Sequence, residues 1–537
     1  MLSYSRGPDH TLLEITIGEQ LRRTAGRVGD SLAVVSCHQS RRLTWAELDA
    51  IADRVARGLW SLGIRKADRV GLWSSNCVEW VMLQMGCARA GAILVNINPA
   101  YRSHELRFTL RKSRMKAIFL WRADARADYH ALLQEATDGQ SLELQHSIYF
   151  DSSCWEELLN APGEIPSDLQ PQDVTNIQYT SGTTGLPKGV MLTHHNQVNN
   201  GLLLTRGMRY TEKDRICIPV PLYHCFGCVI GNMAALTSGA AMIFPNWTFD
   251  PRATLNAVRA EKCSSIYGVP AMFIAELGLP DFPTFDLSTL RTGMMAGAPC
   301  PVEIMKRVVE EMHCHQLTIG YGQTESAPVV TMSELDDPLE LRVCTIGKAL
   351  PCTEMKIISP IDGSTMPVGE QGEVCARGYM VMKGYDDEPE ATARAIDTQG
   401  WLHTGDLGVM RADGYIHLTG RAKDMIIRGG ENIYPREIEE FLYTHPKVAE
   451  VQVIGLPNDR LGEVVLAWIR LRPGEIATDT EIREFCRGKI AHFKIPEYFR
   501  FVDAFPTTVT GKVQKFKIRE QEIQERGLQA VAKTRTA

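Results

Sequence analysis

The chain has 537 residues, 44% hydrophobic and 23% charged, with a net charge of −6. That length exceeds what one hydrophobic core usually fills, about 250–300 residues, so at least two structural units are expected. The composition excludes a collagenous, disordered or disulfide-scaffold class.

The first ten residues, Met1 to His10, carry no apolar core of a secretion signal and meet acidic residues early. A cytoplasmic location is the expectation from that stretch. Apolar positions recur at helical spacing from Leu43 to Leu62, Arg69–Trp73 reads as a buried strand, and a helix follows from Cys77 to Ala90. The apolar stretch Val81–Ile97 is broken by Gln84, Arg89 and Asn96 and falls short of the roughly 18 uninterrupted residues of a span. No transmembrane helix is predicted. Ala117–Leu120, Ala241–Phe244 and Ser265–Val269 are further short apolar runs alternating with helical segments, the rhythm of an α/β fold with sheets covered by helices.

Strand-like Thr175–Tyr179 leads into Tyr179-Thr180-Ser181-Gly182-Thr183-Thr184-Gly185-Leu186-Pro187-Lys188-Gly189, and the chain turns helical after His194. Three glycines permit a backbone whose N–H groups converge on an anion, four hydroxyls add donors and Lys188 adds charge. The reading is a phosphate-holding loop. A Ser/Thr/Gly turn joining two strands has the same composition. The pattern G-x-x-x-x-G-K-[ST] does not align, because Lys188 precedes a glycine and Gly511-Lys512 precedes Val513.

Fourteen cysteines in a long chain of this composition read as reduced thiols, most of them small core residues. Two clusters, Cys217 with His224-Cys225-Phe226-Gly227-Cys228 and His313-Cys314-His315, hold metal-ligating types but not two complete ligand pairs, which disfavours zinc. Glycines and charges thicken between Gly400 and Gly430. The pattern then restarts as a helix over 436–444 and strands over 448–455 and 464–471, so a domain boundary is set at Lys423, with a unit of 1–422 and one of 423–537. Residues 487–537 carry 11 Lys/Arg against 5 Asp/Glu, leaving −12 on the preceding 486. Those basic residues are scattered with no nucleic-acid motif, so a small polyanion is the expected partner and nucleic acid is not. The tail from Gln521 to Ala537 is polar and is expected to fray.

Further short motifs stand in fixed order: Tyr321-Gly322-Gln323-Thr324-Glu325, Thr404-Gly405-Asp406, Gly420-Arg421-Ala422-Lys423-Asp424 and Thr510-Gly511-Lys512. With the Thr180–Lys188 loop they resemble the adenylate-forming superfamily over nearly the whole chain, from about Thr16 to Arg519. Asn176-Ile177-Gln178, Pro221-Leu222-Tyr223-His224-Cys225 and the run Met425–Pro435 look most like the branch called acyl-CoA synthetase family member 2, which activates fatty acids, notably of medium chain. The resemblance implies a large N-terminal α/β domain with mixed sheets covered by helices and a small mobile α+β C-terminal domain that rotates about Lys423. It implies ATP, Mg²⁺ and CoA as cofactor and co-substrates.

In the residues of this chain, the resemblance puts the loop Thr180, Ser181, Gly182, Thr183, Thr184, Gly185, Leu186, Pro187 and Lys188 around the β- and γ-phosphates, with Glu325 and Thr184 holding Mg²⁺. Adenine is to lie along Gly297, Ala298 and Pro299 and stack on Tyr321, within the run that also supplies Gly322 and Thr324. Asp406 is to bind the ribose hydroxyls, Arg421 ribose or phosphate, and Lys512 the substrate carboxylate and α-phosphate. Gly430, Glu431 and Asn432 are to flank the CoA thiol. His224 takes the position near the reacting carboxylate, where an ordinary core histidine is the alternative. The acyl pocket is expected from Leu222–Cys228, Ile266–Phe273 and Gly293–Ala296. Tyr223–Gly227 has no Asp to hold a substrate amine, which disfavours an amino acid. The activity expected is an acid–thiol ligase forming acyl-CoA, as a monomer or homodimer. The alternatives are loading of a carrier-protein phosphopantetheine, or a non-catalytic nucleotide-binding member of the fold.

Overall fold

A computed structural model of the chain describes residues 1–180, 187–298, 300–421, 424–429, 431–508, 513–529 and 531, with the backbone alone at Asn432. Among the described residues, three large sheets and a two-stranded ribbon, Ala123–Asp124 with Ala127–Asp128, occupy the chain up to Arg421, and a fourth large sheet is built from residues beyond it. One sheet of seven strands has Arg69–Trp73 near its middle, with parallel neighbours Ile93–Ile97 and Ala117–Leu120. A nine-stranded sheet carries Thr292–Ala296 and Gln316–Gly322 in parallel. A five-stranded antiparallel sheet includes Gln371–Gly378, Leu402–Met410 and Ile416–Arg421.

The helix Trp45–Ser61 begins where Thr44 and Glu47 form a reciprocal capping box. It buries Trp45, Leu48, Ala52, Val55, Ala56 and Leu59 along one face, at the spacing of an amphipathic helix. It packs on Val78–Ala90, a helix buried on every side. Gly86 lets the two approach, since a Cβ there would lie 2.4 Å from Val55 Cβ.

The three polar residues that interrupt the apolar stretch 81–97 are each anchors. Arg89 is buried and donates to Asp49 Oδ1 at 2.5 Å, Asp53 Oδ1 at 2.6 Å and the Gly18 carbonyl. Gln84 Nε2 donates to the Cys228 carbonyl, and its Oε1 accepts from Asn232. Asn96 donates to the Tyr223 carbonyl and accepts from Asn176. Buried polar groups persist only when bonded, so this stretch is a protein-buried helix and strand. Among the described residues no helix is long and apolar enough to cross a membrane.

Strands Val174–Thr180 and Lys188–Thr193 pair antiparallel, Thr180 opposite Lys188, and the helix starts at His194 as expected. The segment is a hairpin whose tip, 181–186, lies outside the described residues. The expected fraying from Gln521 is corrected. Helix Lys515–Glu525 buries Ile518 and Glu522, and the Glu522 carboxylate accepts from Trp468 Nε1 at 2.6 Å, Arg500 Nη1 at 3.0 Å and Arg526 Nε at 2.6 Å. Polarity there marks a buried ion cluster rather than solvation. Glu522→Ala leaves the buried Trp468 N–H unsatisfied and is expected to cost about 1–3 kcal/mol, read as a lower urea midpoint of the C-terminal residues' tryptophan signal.

Strand Ile416–Arg421 ends the third sheet and Ile426–Arg428 opens the fourth; Lys423 between them lies outside the described residues. In the fourth sheet the long hairpin of Val448–Asn458 and Gly462–Leu471 is flanked by helix Pro435–Tyr443. Gln371 of the third sheet donates to the Tyr434 hydroxyl just before that helix. All fourteen cysteines stand as free thiols, ten of them buried.

Candidate active site

Two groups of the sequence-predicted residues meet at the ends of strands. The first forms around Asp406. Cys375 pairs with His403 and Glu373 with Leu407, so the three residues Thr404–Asp406 face Val374 alone and bulge from the ladder. Thr404 Oγ1 donates to the Val374 carbonyl at 2.6 Å and accepts from the Asp406 N–H, and Glu373 Oε1 accepts the Gly405 N–H at 3.1 Å. Gly405 sits at φ 70°, a conformation that favours glycine.

The bulge presents Asp406 to two partners. Tyr321 OH donates to Oδ2 at 2.7 Å, and Arg421 Nε, from the residue in register on the adjacent strand, lies 2.8 Å from Oδ1. Burial and the Asp406 charge hold the Tyr321 phenol well above its ordinary value, so it stays a donor. Burial pulls the Arg421 guanidinium down, but Asp406, Tyr321 and Asp424 outweigh it and raise it. The product is a fixed carboxylate beside an aromatic ring, with a permanent cation behind it. Gly297 and Ala298 follow strand Thr292–Ala296, whose Ala296 pairs with Gly320, so they stand one position from Tyr321 at the same sheet end. Gly297 has φ 82°. Pro299 lies outside the described residues.

The second group forms around Glu325. Gly322 leads into the turn Thr324–Ser326, and a Cβ at Gly322 would sit 1.8 Å from the Pro328 carbonyl oxygen, so no larger residue fits. Glu325 Oε1 accepts from Tyr385 OH at 2.9 Å, and Lys188 Nζ stands 5.0 Å from the centre of the Tyr385 ring. Burial and Glu325 together raise the Tyr385 phenol. Tyr385 therefore joins two residues that the sequence picked out separately. It was missed because it reaches them through the pairing of Tyr385 with Val190 across the sheet, which no local pattern records.

Thr324 is buried, with Oγ1 3.6 Å from Cys225 Sγ, and Cys225 Sγ is 3.5 Å from His224 Nδ1. Burial pushes the Cys225 thiol up to about 12, so it serves as an uncharged contact between His224 and the Glu325 turn. Directly after it, Phe226–Gly231 form a π-helix, a geometry frequent at functional sites. Phe226 lies 5.7 Å from Tyr267, ring centre to centre, and Leu222, Cys228, Val269, Met272, Met294 and Ala296 share their apolar cluster.

A carboxylate held by a hydroxyl offers hard oxygen, which suits Mg²⁺ or Ca²⁺ rather than a soft metal, and Glu325 with Tyr385 fits that. Its expected partner Thr184 lies outside the described residues with Ser181, Gly182, Thr183, Gly185 and Leu186. Pro187 leads into the Lys188 strand. Lys512 and Gly430 also lie outside them. Around Lys512 the described flanks close on each other through a bridge between Thr507 and Val513. Glu431 is exposed and pairs with Arg428 in the hairpin that carries Asn432, and no described contact joins that hairpin to Asp406 or Glu325.

A family model described as AMP-binding enzyme matches residues 21–386, a span that holds Lys188, His224, Tyr321, Glu325 and Tyr385. This chain belongs to the AMP-binding enzyme family. The model of the AMP-binding enzyme C-terminal domain matches residues 437–512, ending on Lys512. Relatives of this AMP-binding enzyme include the candidate acyl-CoA synthetase YngI of Bacillus subtilis (strain 168), 47% identical over 96% of this chain and 98% of that protein. The medium-chain acyl-CoA ligase ACSF2, mitochondrial, of Homo sapiens is 41% identical over 97% of this chain and 90% of its own. Among solved structures, ATP-bound MatB from Rhodopseudomonas palustris superposes with a TM-score of 0.86 at 30% identity, covering 95% of this chain and 99% of that one.

Proposed function

We propose that this AMP-binding enzyme is an acyl-CoA synthetase that joins a carboxylic acid to CoA at the expense of ATP. The carboxylate oxygen attacks the α-phosphorus and pyrophosphate leaves, giving an acyl-adenylate. The CoA sulfur then attacks the acyl carbon, AMP leaves, and the thiol proton passes to solvent. The observation that carries this reading is the Tyr321–Asp406–Arg421 cluster, a preorganised acceptor for two ribose hydroxyls beside a flat aromatic surface.

In this reading Lys188 and the hairpin tip hold the β- and γ-phosphates and Gly297, Ala298 and Tyr321 bind adenine. Glu325, oriented by Tyr385, is the residue to hold Mg²⁺, with Thr184 as its helper. Bound there, the ion neutralises charge developing on the phosphates. His224, backed by Cys225, orients the acid, and Lys512 bridges its carboxylate to the α-phosphate. The unit beyond Lys423 turns to bring Gly430, Glu431 and Asn432 to the thiol. A medium-chain fatty acid is the proposed substrate, supported by the likeness to ACSF2 and by the apolar cluster around Phe226 and Tyr267.

Release of AMP and pyrophosphate across C2–C18 and aromatic acids, each with and without CoA, tests the reading. CoA-dependent turnover peaking at medium chain length is expected. Adenylate formation without CoA turnover points to carrier-protein loading instead, and silence with every acid overturns the assignment. Tyr385→Phe keeps the ring beside Lys188 but removes the donor to Glu325. It is expected to raise the Mg²⁺ concentration for half-maximal activity about tenfold, the scale of one hydrogen bond to a charged group, in a Mg²⁺ titration at saturating ATP.

A further inference from the structure

One cluster of donor atoms has no part in that chemistry. Glu373, Cys375 and His403 bring a carboxylate oxygen, a thiol sulfur and an imidazole nitrogen within 4.8 Å of one another. Glu373 and Cys375 come from strand Gln371–Gly378, and His403 is the residue paired with Cys375 on the next strand. His403 Nδ1 lies 3.0 Å from Glu373 Oε2 and 3.8 Å from Cys375 Sγ. In a tetrahedral zinc site, bond lengths of about 2.0–2.3 Å put neighbouring ligand atoms roughly 3.3–3.6 Å apart. The two His403 contacts reach that geometry with shifts of a few tenths of an ångström, and Glu373 and Cys375, within 4.8 Å of each other, need close by no more than about 1.3 Å.

The surroundings supply what such ligands need beyond the metal. Asp397 Oδ2 stands 3.9 Å from His403 Nε2, on the side of the ring away from the cluster, and Glu373 Oε1 is held by the Gly405 N–H at 3.1 Å. A metal-bound histidine characteristically turns its other N–H to a carboxylate, and a ligating carboxylate is itself hydrogen-bonded. Cys375 is fully buried against Ile358 and Trp401, whereas the side chains of Glu373 and His403 keep 20% and 30% exposure, leaving an entry path. Glu373 and Asp397 supply negative charge beside the thiol, and the nearby cations Lys356 and Arg377 both stack on the Trp401 ring.

We propose that Glu373, Cys375 and His403 bind a divalent cation of the zinc class, with water as fourth ligand. Binding forms one bond from the metal to each of Sγ, Nδ1 and Oε2. The Cys375 thiol proton leaves to solvent, and the His403 ring proton sits on Nε2 facing Asp397. The ion clamps the two strands that carry the Thr404–Asp406 bulge. It is separate from the Glu325 site, which offers hard oxygen only.

The test is titration of chelator-stripped full-length protein with zinc chloride against a chromophoric competitor, without ATP or Mg²⁺. About one equivalent is expected to bind. Cys375→Ser is expected to weaken it more than Asp397→Asn, which loses about 10–100-fold. X-ray absorption of the zinc-loaded unmutated protein covers the case where a variant fails to fold, and one sulfur with nitrogen or oxygen neighbours is expected. No tight equivalent, equal affinity in Cys375→Ser, or a zinc shell without sulfur overturns the proposal.

Discussion

Lys512→Ala is expected to slow acyl-adenylate formation by about 10²–10³-fold, the usual contribution of one preorganised donor to a charge that develops in the transition state. The first half-reaction brings a carboxylate against a polyphosphate, and a single ammonium between them offsets the repulsion at the point of closest approach. Lys512 belongs to a segment whose ends close through the Thr507–Val513 bridge, and it ends the span matched to the C-terminal family model. The second half-reaction needs no charge at that point. Pyrophosphate exchange should therefore collapse, while thioester formation from a supplied acyl-adenylate and CoA should stay within a few-fold of the unmutated enzyme. Unchanged exchange would remove Lys512 from the proposed mechanism.

The second large effect concerns Asp406. Two ribose hydroxyls bound by one carboxylate are hydrogen bonds to a charged group, each contributing about 1.5–3 kcal/mol, so Asp406→Ala is expected to lower kcat/KM for ATP at least about 100-fold. The buried side chain also anchors Tyr321 and Arg421, so its removal costs some stability too. Steady-state kinetics with ATP and acid varied separately divides the two effects. A role in nucleotide binding predicts the loss in kcat/KM for ATP, with KM for the acid nearly unchanged. Equal losses for both substrates, with a lowered Tm, would reduce Asp406 to a structural residue.

The α/β class was legible because its helices and strands carry local signatures. The Thr44/Glu47 capping box, the helical spacing from Leu48 to Leu59 and the apolar runs 69–73 and 117–120 all report structure that neighbours in sequence dictate. Boundaries moved by one to three residues, as in the helix expected over 436–444 and observed at Pro435–Tyr443, and the strand expected over 448–455 that pairing extends to Val448–Asn458. The buried Glu522 was misread because a polar residue in sequence looks solvated, and only its distant partner Trp468 reveals that it is buried.

The candidate site divides the same way. The sequence alone singled out the residues proposed for nucleotide chemistry, because the short motifs that hold them are local and resemble those of the adenylate-forming superfamily. Tertiary structure alone decided how they combine. It brought Tyr321 from the nine-stranded sheet to Asp406 of the five-stranded one, placed Tyr385 between Glu325 and Lys188, and gathered Glu373, Cys375 and His403 on one strand pair. These partners are separated by up to 197 positions in the chain. Contacts at that distance are set by sheet register and core packing, which burial of the whole chain fixes and no local window of sequence contains.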